Sequence, residues 1–301
     1  MRDVVHGFVA AALDAARRER RLDRIVGELE VFSRAMVESE ELREVLSDSG
    51  VPLVSRRAVA KDLVAKRAAP ETATIVWYLI GAERPAELSL ALAQARVLAT
   101  DQRDAGDDAA IDTGGGRLAA MDRLRGYADF SFSQLSKLSD VDLIEDELFR
   151  LARAVEEYPE LAAALSDRVV PLAARSAVLA SLLAGRAAPT TGHLGGYVLR
   201  AGKVRDLVRA FDYLVELAAE ERGRRIADVR AAKPLDDEQR DRLAAALGAM
   251  AGRPVEVRVV VDPQVIGGLH VSIGDTVIDG TVRHRLDQLG ESLGGSATSA
   301  A

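Results

Sequence analysis

The chain contains no cysteine among its 301 residues, which excludes disulfides and thiolate metal sites and makes a reducing cytoplasm its simplest location. Aromatic residues make up only 4% of it, whereas 48% of the residues are apolar, and this balance favours Ala/Leu-rich helices over a β-sandwich. No apolar run approaches the roughly 18–20 residues that span a bilayer. The first residues lack the hydrophobic core of a signal peptide. The sequence therefore predicts a soluble, mainly α protein.

Residues that could carry chemistry are few and scattered. The four histidines, His6, His193, His270 and His284, form no pair with a metal-ligand spacing. No Walker loop, nucleophile elbow or dinucleotide fingerprint occurs in the sequence. The formal net charge of −7 argues against a general nucleic-acid binder, which usually carries a basic excess. We therefore predict no catalytic, cofactor-binding or metal site, and no nucleic-acid partner.

A long internal repeat organises the N-terminal two thirds of the chain. Residues 22–88 recur as residues 141–207 at a constant offset of 119, without a gap and with 28 identities in 67 positions. A register held through turns and prolines indicates a true duplication and not merely a shared composition. The same offset pairs Gly7 with Gly126, so the repeat starts close to Met1.

Both copies carry the same helical core pattern. Apolar residues recur at i, i+4, i+7 and i+11, which predicts a helix with one buried stripe. The stripe residues are Ile25, Leu29, Phe32 and Met36 in the first copy, and Ile144, Leu148, Leu151 and Val155 in the second. We expect each copy to hold six helices, so that the chain forms two tandem six-helix bundles.

The C-terminal third changes to strand and turn signals. Residues 226–230 read as a strand, and Asp236 with Gln239 three residues later predicts a capped helix start. Valines alternate over residues 255–261, which is typical of a half-buried strand.

Two glycine-containing turns follow that strand. Gly267 and Gly268 allow a backbone excursion before a strand over residues 269–273. Gly274 begins a two-residue hairpin turn that leads into a return strand over 276–278. The fold is therefore expected to end in a small mixed sheet with two helices, the second of them starting after the return strand.

Two aspartates in this region have the best local context for chemistry. An acid/base pair is one interpretation of Asp262 and Asp279. We prefer a structural one, in which Asp262 accepts backbone N–H bonds in the turn before Pro263 and Asp279, with Gly280 and Thr281, begins the last helix.

The expected division of the chain follows these patterns. Residues 101–118 are acidic, Gly-rich and without periodicity, which predicts a flexible linker. The first helical copy is expected over 1–100, the second over 119–222, a C-terminal α+β domain over 223–294 and a disordered tail over 295–301.

The order of elements in the last third resembles the C-terminal signature of the delta subunit of F-type ATP synthases, called the oligomycin-sensitivity-conferring protein in mitochondria. The shared features are an acidic residue with Pro after a strand, Gly-Gly, a hairpin, and Ile-Asp-Gly-Thr-Val at a helix start. Thr281 stands where the family often has Ser, which preserves the hydroxyl. The signature residues are Asp262, Gly267, Gly268, Gly274, Asp279, Gly280 and Thr281.

The helical part differs from the usual family plan in one respect. The family normally has one six-helix bundle before its C-terminal domain, so residues 1–100 are an extra copy. Enlarged delta subunits of this kind resemble those of actinobacteria, some of which also fuse the stalk b subunit to delta. This chain carries no membrane-spanning b segment and looks like a delta-only polypeptide. The family's Tyr-Ala-x-Ala-Leu pattern is matched only at Tyr127 and Ala128.

The resemblance implies a non-catalytic peripheral-stalk subunit without a cofactor, located on the cytoplasmic side of the cell membrane as part of the ATP synthase. Its partners would be the α subunits, through their N-terminal helices, the β subunits of the catalytic head, and the b subunit of the stalk. The extra copy is expected to support the stalk, by packing on b or by engaging another α terminus. The alternative function, from another class, is a helical RNA-binding or regulatory adaptor.

Overall fold

The computed structural model describes residues 1–64, 68–104, 117–167, 169–201, 207–224, 226–251, 255–263, 265, 267–273 and 276–281. Contacts divide the chain into two compact units, one made of Met1–Gln134 with Asp146–Leu217 and the other of Leu135–Glu145 with Ala218–Ala301. Most of both helical copies therefore belongs to one unit. The two compact units do not coincide with the two copies of the repeat. The domain boundaries expected from the sequence stay predictions.

The first copy forms six helices, as its periodicity predicts. A short 3₁₀ turn at Pro85–Glu87 precedes the sixth. The helices are α1 (Asp3–Arg18), α2 (Leu22–Glu38), α3 (Glu40–Ser47), α4 (Leu53–Val64), α5 (Pro70–Ala82) and α6 (Leu88–Asp104).

The second copy repeats these six helices in the same order. They are α7 (Arg117–Ser133), α8 (Leu138–Glu157), α9 (Pro159–Ser166), α10 (Leu172–Leu183), α11 (Pro189–Arg200) and α12 (Leu207–Arg224). Adding 119 to the bounds of α3 and α4 reproduces those of α9 and α10. The duplication is thus preserved in the structure as well as in the sequence.

The predicted apolar stripes form the core of both copies. Each of the eight stripe residues on α2 and α8 is buried, with at most 6% of its surface exposed. Burial of large aliphatic and aromatic side chains stabilises a fold by about 1.5–3 kcal/mol per residue. The stripes are therefore the main apolar contribution of these two helices.

In each copy, a glutamate from the second helix caps the N-terminus of the fifth helix. In the first copy, Glu28 on α2 accepts hydrogen bonds from the Ala69 N–H at 2.8 Å and the Thr72 hydroxyl at 2.6 Å. A glutamate from a neighbouring helix thereby serves as the cap that the residue before Pro70, an alanine, cannot supply.

The second copy makes the equivalent contacts at the repeat offset. Glu147 on α8 accepts bonds from the Ala188 N–H at 2.9 Å and from the Thr191 hydroxyl. The cap therefore ties the second helix of each copy to the fifth by the same polar contact, and a negative charge at a helix N-terminus also complements the helix dipole.

The C-terminal unit contains a four-stranded mixed sheet. Its strands are β1 (Ile226–Ala231), β2 (Glu256–Val261), β3 (Leu269–Ile273) and β4 (Thr276–Asp279), in the order β2-β1-β3-β4. β1 pairs parallel with β2 and antiparallel with β3, and β3 pairs antiparallel with β4. The sheet core comprises Ala227, Val229, Val255 and Val271 together with Leu247.

The helix α13 (Asp237–Ala251) connects β1 to β2. Its predicted start is confirmed, since the Gln239 N–H donates to Asp236 Oδ1 at 2.7 Å and the Asp236 N–H donates to Gln239 Oε1 at 3.1 Å. This reciprocal pair is a capping box with Asp in the place of Ser or Thr. Leu247 on this helix packs into the sheet core.

Some expected elements lie partly or wholly outside the described residues. Residues 101–104 continue α6 and residues 117–118 begin α7, so both ends of the expected linker are helical, while 105–116 are not described. The hairpin glycine Gly274, the last predicted helix and the predicted tail also lie outside the described residues. No helix in the described part of the chain is both long and apolar enough to cross a bilayer.

The duplicated cap generates a first prediction. Burial raises the pKa of Glu28, but the bonds from Thr72, Ala69 and Arg24 outweigh it and hold that pKa below its ordinary value. Glu28→Gln is expected to lower the free energy of unfolding by about 1–3 kcal/mol, because a charge-assisted cap is lost. The contribution of Glu28 is present above pH 4.5, the ordinary value, and is lost as the pH falls through the lower folded-state pKa.

Urea unfolding of the unaltered chain and of the Glu28→Gln variant, at pH 7 and in acid, measures this loss of stability. Glu30→Gln is the matched control, because Glu30 lies on the same helix in an exposed pair with Arg34 and its loss should change stability by less than about 0.5 kcal/mol. Equal effects of the two substitutions at pH 7 would contradict the capping role of Glu28.

Candidate functional site

The helix α1 is buried on all sides and not along a single stripe. Every residue from Gly7 to Leu13 is buried, as is Asp14. A helix that is apolar all round belongs in a core. In this chain α1 packs against α5 and α6 of its own copy and against α7 of the other copy. The two copies are therefore joined through their first helices.

Paired glycines allow these two helices to approach at backbone distance. A Cβ placed on Gly7 would overlap the carbonyl of Arg123 in α7, and a Cβ on Gly126 would overlap the carbonyl of Val4 in α1. Gly7 and Gly126 are equivalent in the repeat, and so are Val4 and Arg123. The contact is thus reciprocal, as in a symmetric dimer, although it lies within one chain. We call it the α1–α7 crossing.

Stacked aromatic rings flank the crossing in both copies. The ring centroids of Phe8 and of Tyr78 on α5 lie 3.5 Å apart. The centroids of the equivalent Tyr127 and of Tyr197 on α11 lie 4.0 Å apart. Phe130 on α7 meets Phe8 edge-on, with ring centroids 5.3 Å apart. The first helix of each copy is therefore anchored to its own fifth helix, and Phe8 also contacts the other copy.

Two sets of polar contacts join α1 to the second copy near the crossing. Asp14 on α1 is 4% exposed, accepts a hydrogen bond from the Tyr127 hydroxyl at 3.0 Å and forms a bidentate ion pair with Arg200 on α11. Arg123 on α7 is also buried and pairs with Asp3 at 2.6 Å. Because buried charges are tolerated only when paired, these contacts select one arrangement of the two copies.

The electrostatics of the crossing follow from this burial. Burial raises the pKa of Tyr127, and the negative charge of Asp14 raises it further, so the phenol stays protonated and donates to the carboxylate. Burial lowers the pKa of Arg200, but the hydrogen bond and charge of Asp14 outweigh it and raise that pKa. Arg200 thus stays charged over the whole physiological range.

The C-terminal signature residues form a second group, in the sheet. Gly268 has φ +82°, a conformation that favours glycine, and a Cβ there would overlap the carbonyl of Gly280. The Gly280 N–H donates to the Leu269 carbonyl at 2.9 Å, and the Thr281 N–H donates to Asp279 Oδ1 at 2.9 Å. These contacts hold the segment before β3 against the end of β4.

Asp262 lies at the end of β2, apart from Asp279. Its N–H donates to the Ala231 carbonyl at 2.9 Å, and its Oδ2 lies 3.8 Å from Arg230. Gly267 is partly buried beside Gly268. The framework role assigned to the seven signature residues stays a prediction.

The remaining features of the described residues add no cluster of side chains suited to catalysis or metal binding. No group of three or more acidic or histidine residues suited to a metal occurs among them. A shallow open depression of about 710 Å³ lies between α3 and α6, lined by Arg43, Glu44, Val45, Ser47, Asp48, Val51, Ala86 and Ser89.

A family model described as the ATP synthase delta (OSCP) subunit matches residues 5–107 and, separately, residues 125–293. The chain belongs to this delta (OSCP) family. The first match covers the first helical copy, and the second covers the second copy together with the C-terminal region. The delta-family resemblance of the signature segment is therefore confirmed, and it extends to the extra copy.

Several actinobacterial proteins named ATP synthase subunit delta resemble this delta-family chain. The one from Streptomyces lividans is 41% identical over 174 residues, which are 58% of this chain and 63% of that protein. The one from Nocardia farcinica is 47% identical over 153 residues, 51% of this chain and 56% of the relative. These two matches span less than two thirds of the relatives' length.

A longer match occurs with the ATP synthase subunit delta of a Parafrankia species, which is 32% identical over 265 residues, 87% of this chain and 84% of that protein. A chain in a cryo-EM structure of the Toxoplasma gondii mitochondrial ATP synthase hexamer is 20% identical and covers 57% of this chain and 95% of its own, with a TM-score of 0.25. Because a TM-score this low does not establish a shared fold, the family assignment depends on the sequence matches.

The α1–α7 crossing was not predicted from the sequence. The repeat pairs Gly7 with Gly126 but does not show that they face each other. The unbroken apolar run from Gly7 to Leu13 was a usable signal, because a surface helix would place polar residues in it. The contacts of Asp14 with the second copy have no such signal, since Tyr127 and Arg200 lie 113 and 186 residues away in the sequence.

The paired glycines generate a second prediction. Gly126→Ala is expected to lower the free energy of unfolding by about 1–3 kcal/mol or more. The added methyl group overlaps the backbone of α1, which can move away only if the whole helix shifts. Gly27→Ala on the exposed face of α2 is the control; nothing lies within 4 Å of its Cβ position, so it should raise stability by about 0.5–1 kcal/mol. Urea unfolding measures both, and a neutral Gly126→Ala would show that the helices do not approach at backbone distance.

A third prediction concerns acid. Burial and, to a smaller extent, the Arg123 guanidinium together lower the pKa of His6 on α1 from 6.5 to about 4, against the raising effect of Asp3. The folded state thus favours neutral His6, and stability should fall as the pH drops from 6.5 to about 4, by up to about 3 kcal/mol. His6→Gln should flatten this part of the stability–pH curve. An unaltered curve for His6→Gln would contradict the shift.

Proposed function

We propose that this chain is a non-catalytic subunit of the peripheral stalk of an F-type ATP synthase. It links the catalytic head to the b stalk and resists the torque of rotation during proton-driven ATP synthesis. The observation that carries the proposal is the family match, which spans both helical copies and the C-terminal region. As part of the ATP synthase, the chain lies at the cytoplasmic side of the cell membrane as a peripheral subunit.

Its partners in this function are the α and β subunits of the head and the b subunit of the stalk. The helical copies receive N-terminal helices of α subunits, in the mode where an amphipathic helix lies in an apolar groove. The C-terminal unit, with its sheet and signature segment, holds the end of b. The net charge of −7 favours contacts that are mainly apolar over contacts driven by attraction to acidic partners.

A stalk subunit acts mechanically, so its interfaces must not open under load. Several interfaces of standard size on one chain raise the effective concentration of each contact, and together they hold where a single small contact opens. The extra copy contributes to this support by packing on b or by engaging a further α terminus. The buried, ion-paired α1–α7 crossing supports the idea that a force applied to one copy reaches the other.

Co-purification tests this proposal. The tagged chain is co-expressed with the α, β and γ subunits and the soluble part of b from the same organism, and we expect the head and b to be retained together. Gly268→Val should lose b and keep the head, because it disturbs the contact between the turn before β3 and the end of β4 and leaves the helical copies unchanged. Gly27→Ala should keep both. Failure of the unaltered chain to retain either partner would reject the stator function.

An RNA gel shift addresses the alternative function. RNA binding that weakens steeply with salt, combined with no retention of the head or b, would favour the adaptor over the stalk subunit. The acidic charge of the chain leads us to expect no shift.

A further inference from the structure

We infer that the α7–α11 face of the second copy is a docking surface for one particular helix, α1 of the first copy, and that covering this face is one role of the extra copy. The role lies outside the proposed stalk contacts and does not depend on them. It assigns the first copy a partner inside the chain, and it implies that an outside helix reaches this face only when α1 leaves it.

The geometry of the face fits a helix with a glycine at its crossing point. Gly126 removes the side chain that would hold α1 away, and Gly7 does the same on the incoming helix. The Tyr127 ring, stacked on Tyr197, fills the space between α7 and α11 and presents its hydroxyl to α1. Any helix with a larger residue at the position of Gly7 meets the Arg123 carbonyl.

The polar groups of the face determine which helix it accepts. Tyr127 and Arg200 both bind the carboxylate of Asp14, and the Arg200 side chain is only 17% exposed. Without a carboxylate at this point, a largely buried guanidinium and a buried hydroxyl lose their partner. The face therefore selects a helix that carries glycine and, seven residues later, aspartate.

The repeat itself supplies the comparison that makes the selection specific. At the equivalent positions Ser133 replaces Asp14, Gly81 replaces Arg200 and Phe8 replaces Tyr127. The glycine contact is reciprocal, but the carboxylate contact exists only for α1 on the α7–α11 face. A second α7 offers serine where the face requires aspartate, so the preferred occupant is α1 and not another copy of α7.

A fluorescent peptide of residues 1–21, measured by anisotropy against the full chain, tests this inference. The unaltered chain should bind it poorly, because its own α1 competes at a high effective concentration. The full-length Gly7→Ala variant has a damaged α1 but an intact α7–α11 face, so we expect it to bind the peptide at least about tenfold more tightly than the unaltered chain does. A peptide of residues 117–136, which represents α7, should bind this variant much more weakly, as should the 1–21 peptide carrying Asp14→Asn.

The full-length Asp14→Ala variant provides an independent route if Gly7→Ala proves unfolded by circular dichroism, and it should also bind the 1–21 peptide. Equal binding of that peptide to the unaltered chain and to a folded variant would overturn the inference, as would no binding to either variant while both remain folded. Equal affinity for the α7 peptide would overturn the claim of selectivity. Because every probe is a piece of this chain, failure here would leave the stalk function standing, and failure of co-purification would leave this result standing.

Discussion

The rest of the helical structure depends on the close approach of two backbones, at Gly7 of α1 and Gly126 of α7. Only glycine on both helices allows it, since a Cβ on either would overlap the carbonyl of the other helix. Once the helices lie this close, α1 becomes buried on every side and Asp14 loses its access to water. The carboxylate then requires Tyr127 and Arg200, and those contacts fix which face of the second copy meets the first.

The duplication explains why such a crossing can exist within one chain. Two copies of one bundle present the same first-helix face, and a face that fits its own copy can pair as a symmetric dimer does. The glycines and the Glu28 and Glu147 caps are kept in both copies, whereas the charged groups at the crossing have diverged. Conserved backbone contacts thus provide the fit, and the diverged side chains make the pairing of the two copies directional.

Much of the local structure could be predicted from the sequence, and the contacts between distant elements could not. The stripes on α2 and α8, the four strands and the capping box at Asp236 all depend on spacings of a few residues, which periodicity reports directly. The polar caps of α5 and α11 could not be predicted, because Glu28 lies 41 residues from Ala69 in the sequence. At the crossing, glycine in an apolar run indicates only a weakened helix until its neighbour is known.

If the two copies are one cooperative structure, they must unfold together, and equilibrium unfolding with a separate probe on each copy measures this. Trp77 on α5 is the single tryptophan of the chain, so its fluorescence reports the first copy, while hydrogen exchange of the α11 amides reports the second. With increasing urea, we expect one shared midpoint for the two probes. Loss of the Trp77 signal at a clearly lower urea concentration, with α11 still protected, would show that the copies are independent bundles and would contradict this expectation.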